Sequence, residues 1–178
     1  YNDGFAKLDA FQVDQDITFD GQGASMRIDV PNPEDPSGVY AGATFIDLNG
    51  GRDLSEYDAL TFYARGSKSA RINQIGFGQG ENNANYQVKL DSMRIATYWQ
   101  KYVIPNPEAS KLTAERGLCW CAENPEDGDG YSFWIDDLQF ETLGNIAQSR
   151  PVINNGLDSQ IFSSVNLSAS ITGFSYTA

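Results

Sequence analysis

Every second residue of ASMRIDV is apolar: Met26, Ile28 and Val30 fall on one side of an extended chain, Ser25, Arg27 and Asp29 on the other. Successive side chains of a β-strand point to opposite faces, so this two-residue period marks a strand with one face buried. Comparable short runs recur in VYAGATFIDL, DALTFYARG, ARINQIGFG, YQVKL, YWQKYVIP, RGLCWCAE and YSFWIDDLQFE. In YQVKL the alternation runs through Tyr86, Val88 and Leu90, which places Tyr86 in the core. Between the runs stand NPEDPSG, NGGRDLSEY, QGENNAN and NPEDGDG, whose Gly, Pro and Asn residues end strands and make turns. No segment keeps a helical period beyond a turn or so around Pro107–Glu115. Strands of this kind bury their apolar faces by stacking one sheet on another, so the predicted class is all-β: an antiparallel β-sandwich, or jelly roll.

The 178 residues are 40% hydrophobic and 12% aromatic, enough for one core. From Leu143 to Ala178 the only charged residues are Arg150 and Asp158, and Ser, Asn, Thr and Gly dominate. Residues 1–142 are therefore predicted to form the sandwich. Residues 143–178 read as a linker and the start of a following β module, with a tail strand pairing on the sandwich as the alternative. The net charge of −12 repels phosphate backbones and anionic membranes. A neutral ligand or a bound cation suits such a surface better. The chain lacks histidine, which removes Ser-His-Asp and Cys-His catalysis and His-ligated zinc together. No signal peptide or apolar run of membrane-spanning length is visible, and the start at Tyr1 reads as a mature form or an excised domain. Cys119 and Cys121 lie at i and i+2 on a strand, about 7 Å apart on one face, too far for an easy disulfide. They read as small buried apolar side chains.

Asp136 and Asp137 interrupt an otherwise apolar strand. On a regular strand neighbours point to opposite faces, so the two are not expected to serve one site. That argues against a paired acid and base, whose carboxylates would converge about 5–10 Å apart across a cleft. Glu56 and Asp58 also stand at i and i+2, but in a turn leading into a strand. Exposed acids paired with Lys or Arg, or a hard cation at the sandwich rim, are the remaining readings for Asp136 and Asp137.

If Leu60, Phe62 and Ala64 face the core, Tyr63 and Arg65 face outwards, a ring beside a bidentate donor. Neighbouring strands are expected to add Gln74, Gln87, Lys89 and Trp120, with Trp120 in the core and the cysteines outward as the alternative. Tyr40, at a strand start after a Pro/Gly loop, would border that face. Trp99 reads as a packed ring. Trp134 reads as a shield for the adjacent acid or as a rim contact.

GASMRIDV, GVYAGATF, DLSEYDALTFYARGS, INQIGFGQ, YWQKYVIP and YSFWIDDLQFE follow one another in an order that resembles bacterial carbohydrate-binding modules of the galactose-binding-like jelly-roll group. The resemblance covers roughly residues 10–141 and is closest to families found beside glucanases and in surface glycan-binding lipoproteins. LCWC and the uncharged tail have no matched counterpart. The resemblance implies a β-sandwich with a structural Ca²⁺ and a glycan-binding face. Asp136 would join Asp9 or Asp20 and the backbone of residues 20–25 around the ion. The expected function is non-catalytic recognition of a neutral polysaccharide, a β-glucan, by stacking and hydrogen bonds. The setting would be a secreted or outer-surface bacterial protein with other domains on the same chain. A structural spacer or protein-interaction sandwich is the alternative, and a jelly-roll glycosidase a third.

Overall fold

The computed structural model describes residues 9–78, 86–115, 117–123 and 129–149, with the backbone alone for 118–123 and 148–149. Its strands are Phe11–Asp14 (β1), Ser25–Val30 (β2), Ala41–Ile46 (β3), Ala59–Gly66 (β4), Ala70–Phe77 (β5), Val88–Ile95 (β6), Gln100–Pro105 (β7), Gly117–Glu123 (β8) and Tyr131–Glu141 (β9). A 3₁₀ turn, Ala109–Lys111, occupies the stretch of weak helical period, and a short helix, Asn145–Ser149 (α1), follows β9. The strands form a five-stranded sheet in the order β1-β2-β9-β4-β7 and a four-stranded sheet in the order β3-β8-β5-β6. The pairs are antiparallel. Among the described residues no helix is long and apolar enough to cross a membrane.

The alternation decides which side chains meet between the sheets. Ile28, Leu60, Phe62, Ala64, Ile104 and Phe133 from one sheet, and Ile72, Ile75, Phe77, Met93 and Ile95 from the other, are at most 1% exposed. Each large side chain so buried contributes about 1.5–3 kcal/mol against its exposed state. Phe62 stacks on Tyr102 with centroids 5.7 Å apart. Tyr86 is half-buried against this core, and its hydroxyl donates to Asn106 Oδ1 at 3.2 Å and accepts from Glu108 N–H at 3.0 Å.

The two-residue period is broken inside several of the described strands, in β5 between Ile72 and Ile75, both fully buried. In β6, Val88 and Leu90 face the core, Ser92 takes φ 57°, and Met93 and Ile95 then face it instead. The strand thus runs to Ile95, past the YQVKL segment. In β9, Asp137 takes φ 47°, and the pairing with β4 skips from Tyr63↔Asp136 to Thr61↔Gln139. This is a β-bulge, with an Asp in the left-handed conformation that it tolerates better than most residues. Gly78, which closes β5, has φ +86°, and a Cβ there would lie 2.6 Å from the Tyr86 carbonyl oxygen, so no larger residue fits.

The packed unit continues beyond β9. The Asp58 carboxylate accepts the backbone N–H groups of Leu143 (2.7 Å) and Gly144 (2.6 Å), and Ala147 of α1 is buried with Ala59 and Val103. Residues 143–149, read from composition as linker, belong to the folded unit, and residues 150–178 lie outside the described residues. Asp58 is thereby committed to holding the chain exit, which leaves Glu56 without its i, i+2 carboxylate for chemistry.

Burial pushes the Tyr102 phenol from 10.0 up to about 12. The unfolded chain releases that proton near 10, the folded one near 12. Stability from this group is therefore complete below pH 10 and lost as pH rises towards about 12. Alkaline melting of the wild type against Tyr102→Phe should show the steeper fall in the wild type. Parallel curves would contradict the burial.

Candidate functional site

The sandwich offers two outer faces and, among the described residues, a pocket beside Asp136. On the five-stranded sheet, Arg27, Trp134 and Arg65 stand side by side on β2, β9 and β4. The Arg27 and Arg65 guanidinium carbons lie 5.8 and 5.9 Å from the Trp134 ring centroid. Such cation–π contacts contribute about 0.5–1 kcal/mol at exposed sites and more where water is excluded. Trp134 is only 6% exposed, and its Nε1–H donates to Asp14 Oδ2 at 2.8 Å. Asp14 also accepts from Asp16 N–H and Ile17 N–H, and these bonds, the one from Trp134 foremost, hold its carboxyl below the usual range. The loop that follows carries Phe19 onto Tyr63, ring on ring at 3.5 Å and 17°, and Trp99 meets Phe19 edge-on at 6.2 Å. At the far end of this face Glu141 accepts from Thr61 Oγ1 and from Lys101 Nζ, the latter at 2.9 Å. On this face Phe19 packs on Tyr63 and Trp99, and Trp134 is flanked by Arg27 and Arg65. Nothing in the sequence pairs Phe19 with Tyr63; Asp136, opposite Tyr63 on β9, accepts the Phe19 N–H on its Oδ2 at 2.8 Å and so helps hold the loop over that ring.

The end pocket, about 470 Å³, is bounded by Phe19, Asp20, Gln22, Asp136 and Asp137 with the backbone of Gly23 and Ala24. The bulge corrects the expectation that neighbouring strand acids serve different sites: Asp136 and Asp137 border one pocket. Asp20 also lines it. Asp9 does not, since it precedes β1 at the end paired towards Val30, whereas the pocket lies beyond Asp14 and Ser25. Asp136 accepts N–H bonds on both oxygens, from Phe19 and from Asp137. Asp20 Oδ1 accepts from Gln22 N–H at 2.9 Å. Among the described residues no three acidic or thiol side chains converge as a preformed metal centre. A cation in this pocket would draw the carboxylates of Asp20, Asp136 and Asp137 inward, with loop carbonyls completing its oxygen shell.

The outer face of the four-stranded sheet is built differently. Ala41, Ala43 and Phe45 of β3 pack inward, so Tyr40, Gly42 and Thr44 take the outer side. On β5, Ile75 and Phe77 are fully buried, which turns Gln74 and Gly76 outward. On β6, Val88 and Leu90 pack inward and leave Gln87, Lys89 and Asp91 exposed. The register runs Gly42, Ala122, Gln74 and Asp91 in one row and Thr44, Trp120, Gly76 and Lys89 in the next. Lys89 Nζ and Asp91 Oδ1 form an exposed ion pair at 3.3 Å. Mid-strand glycines flanked by amides and paired charges make a low, polar strip roughly 14 Å across the four strands. The side chains of Trp120, Cys119 and Cys121 lie outside the described residues.

The expected single cluster is thus divided. Tyr40, Gln74, Gln87 and the Trp120 backbone belong to the four-stranded sheet, Tyr63 and Arg65 to the opposite face of the molecule. The neighbours of β4 are β9 and β7, because the chain crosses to the other sheet both before and after β4.

The sequence matches the family model described as carbohydrate binding domain 30 over residues 1–142. No curated protein matches it significantly. Among solved structures, a family 30 carbohydrate-binding module superposes with a TM-score of 0.55 at 19% identity, over 77% of this chain and 77% of that one. The family 30 module of the cellulosomal cellulase Cel9D-Cel44B of Clostridium thermocellum gives 0.52 at 19%, over 78% and 85%. The CBM27-1 module of Caldicellulosiruptor saccharolyticus, in complex with mannohexaose, gives 0.56 at 13%, over 79% and 87%. At these identities the likeness is one of fold.

Proposed function

The chain belongs to the carbohydrate binding domain 30 family, and from that premise we propose that it recognises a neutral β-glucan on the outer face of its four-stranded sheet. The observation that carries this choice of face is the contrast between the two sheets: one has Phe19 stacked over Tyr63 and Trp134 flanked by arginines, the other presents Gly42 among Gln74, Gln87, Lys89 and Asp91. A sugar ring offers apolar C–H faces and a rim of hydroxyls. Low glycine positions let it approach the sheet, and amides and charges read the hydroxyls. Tyr40 supplies a ring at the edge of the strip, and stacking on it belongs to the proposal. Neutrality of the ligand follows from the net charge of −12, which would repel uronic-acid polymers. The β-glucan assignment is supported by the family 30 relative that is part of a cellulase. Recognition is preformed and involves no chemistry in this reading, and the module works outside the bacterial cell beside other domains of its chain.

The proposal includes a structural Ca²⁺ in the end pocket, held by Asp20, Asp136 and Asp137, with Asp9 excluded from the set. It would brace the loop carrying Phe19 and touch no sugar. Native affinity electrophoresis against soluble glucans, xylans, mannans, pectins and alginates tests both parts. Retardation by a glucan is expected, and a chelator should lower Tm while sparing retardation at low temperature. Retardation by mannan alone would overturn the glucan assignment, an unchanged Tm the calcium, and no retardation by any glycan would favour a spacer role.

A further inference from the structure

Two loops at one end of the four-stranded sheet are zipped together through their backbones. Arg52 and Glu115 each donate an N–H to the other's carbonyl oxygen at 2.8 Å, and Leu54 N–H donates to the Leu112 carbonyl at 2.8 Å. Leu54 and Leu112 are buried, and the ladder of β3 and β8 starts next to this clasp at Ile46↔Gly117. The Gly117 carbonyl in turn accepts Gly78 N–H at 3.0 Å, so the clasp adjoins the ends of β3, β5 and β8. Within it Glu115 is 6% exposed, and its Oε2 is buried without a hydrogen-bond partner. The charged and titratable groups of the surrounding described segments are engaged elsewhere. Arg52 places Nε on Asp47 Oδ2 at 2.7 Å, and Asp47 Oδ1 accepts Asn49 N–H. Asp53 accepts Ser55 N–H, Lys111 pairs with Glu108 at 2.8 Å, and the Tyr86 hydroxyl is bound to Asn106 and Glu108. Arg116 lies outside the described residues.

A carboxylate removed from water and given no donor is costly, so the group keeps its proton instead. We propose that Glu115 is a proton-operated catch: neutral, it lets the two loops close around it, and on losing its proton it drives them apart and frees the end of the sheet at Gly117. Burial lifts the Glu115 acid above its ordinary 4.5, the value it regains once the open loops return it to water. The contribution of the catch is therefore complete below about pH 4.5 and lost as pH rises through the raised value. Between those limits opening releases one proton, so the open fraction grows about tenfold per pH unit. Acid pH thus stiffens the end of the four-stranded sheet, and the catch stands whether or not a sugar binds on that sheet.

Hydrogen exchange of the full chain, read residue by residue by NMR between about pH 4 and 8 and corrected for the intrinsic rate, tests this. Protection of the Arg52, Leu54 and Glu115 amides should fall about tenfold per pH unit above about 4.5 and then level off. In Glu115→Gln, which carries no proton to lose, protection should stay at the acid value of the wild type throughout. The Ile28 amide, in β2 of the other sheet, should not follow the clasp in either protein. Level protection in the wild type would overturn the proposal, as would an equal fall in Glu115→Gln or a fall that Ile28 shares. Titration of the Glu115 carboxyl carbon in the wild type decides the matter without the variant. A midpoint above 4.5 is expected, and one at or below it would overturn the catch.

Discussion

Trp134→Ala should lower the stability of the domain by about 3–5 kcal/mol, the usual range for truncating a buried Trp, and Tm by roughly 10 °C. The ring is 6% exposed, lies between the Arg27 and Arg65 guanidinium groups and donates to Asp14. Removing it leaves a cavity, two arginines without their ring and an Asp14 oxygen without its donor. Arg65 Nε is already buried without a partner, so the site has little means of repair. Glycan retardation by the folded fraction at low temperature should nevertheless stay within about twofold of wild type, since this face is a self-packed layer. Thermal melting and affinity electrophoresis on the same preparation check both halves. A stable variant that no longer binds would mean that the five-stranded face carries the ligand.

The strands were legible where a single period holds from end to end. Ser25–Val30 and Ala59–Gly66 place Met26, Ile28, Leu60, Phe62 and Ala64 inward as their alternation requires. Reading failed where the period is broken by backbone rather than by side chain. Ser92 and Asp137 take positive φ, which no composition signal marks, and each shifts the phase of the residues after it. A regular strand would send Asp136 and Asp137 to opposite faces, whereas the bulge sets both at one pocket. The site was half legible for a different reason. Tyr63 and Arg65 do face outwards, but outwardness on one strand does not reveal which strand lies beside it, and Gln74 is on the other sheet. Nor does local sequence reveal that Phe19, from a loop far along the chain, closes over Tyr63. Long-range pairing sets both facts.

Gln74→Ala and Gln87→Ala should each weaken glycan binding by roughly twofold to tenfold, the loss of about 0.5–1.5 kcal/mol per hydrogen bond to a sugar hydroxyl. The two side chains flank β6 at positions about 13 Å apart along the strand, since Gln74 pairs with Asp91. At that separation the effects should add, so the double variant should bind roughly fourfold to a hundredfold more weakly. Both positions lie on the outer side of the sheet, so the melting temperature should move little. Calorimetric titration with a soluble β-glucan oligosaccharide separates the two quantities. An unchanged affinity in the double variant would remove these amides from the site. Tyr63→Ala makes the opposite pair of changes in this account: it loses the stack with Phe19 and thus stability, and keeps affinity.

The most direct test of the account is to map where the sugar sits. Backbone amide shifts recorded by NMR while a β-glucan hexasaccharide is titrated into the full chain should move at Gly42, Thr44, Gln74, Gly76 and Lys89, across β3, β5 and β6. They should stay still at Arg27, Tyr63, Arg65 and Trp134. Shifts concentrated on that second set would contradict the assignment of the face, and saturable shifts at neither set would contradict glucan recognition by this sandwich.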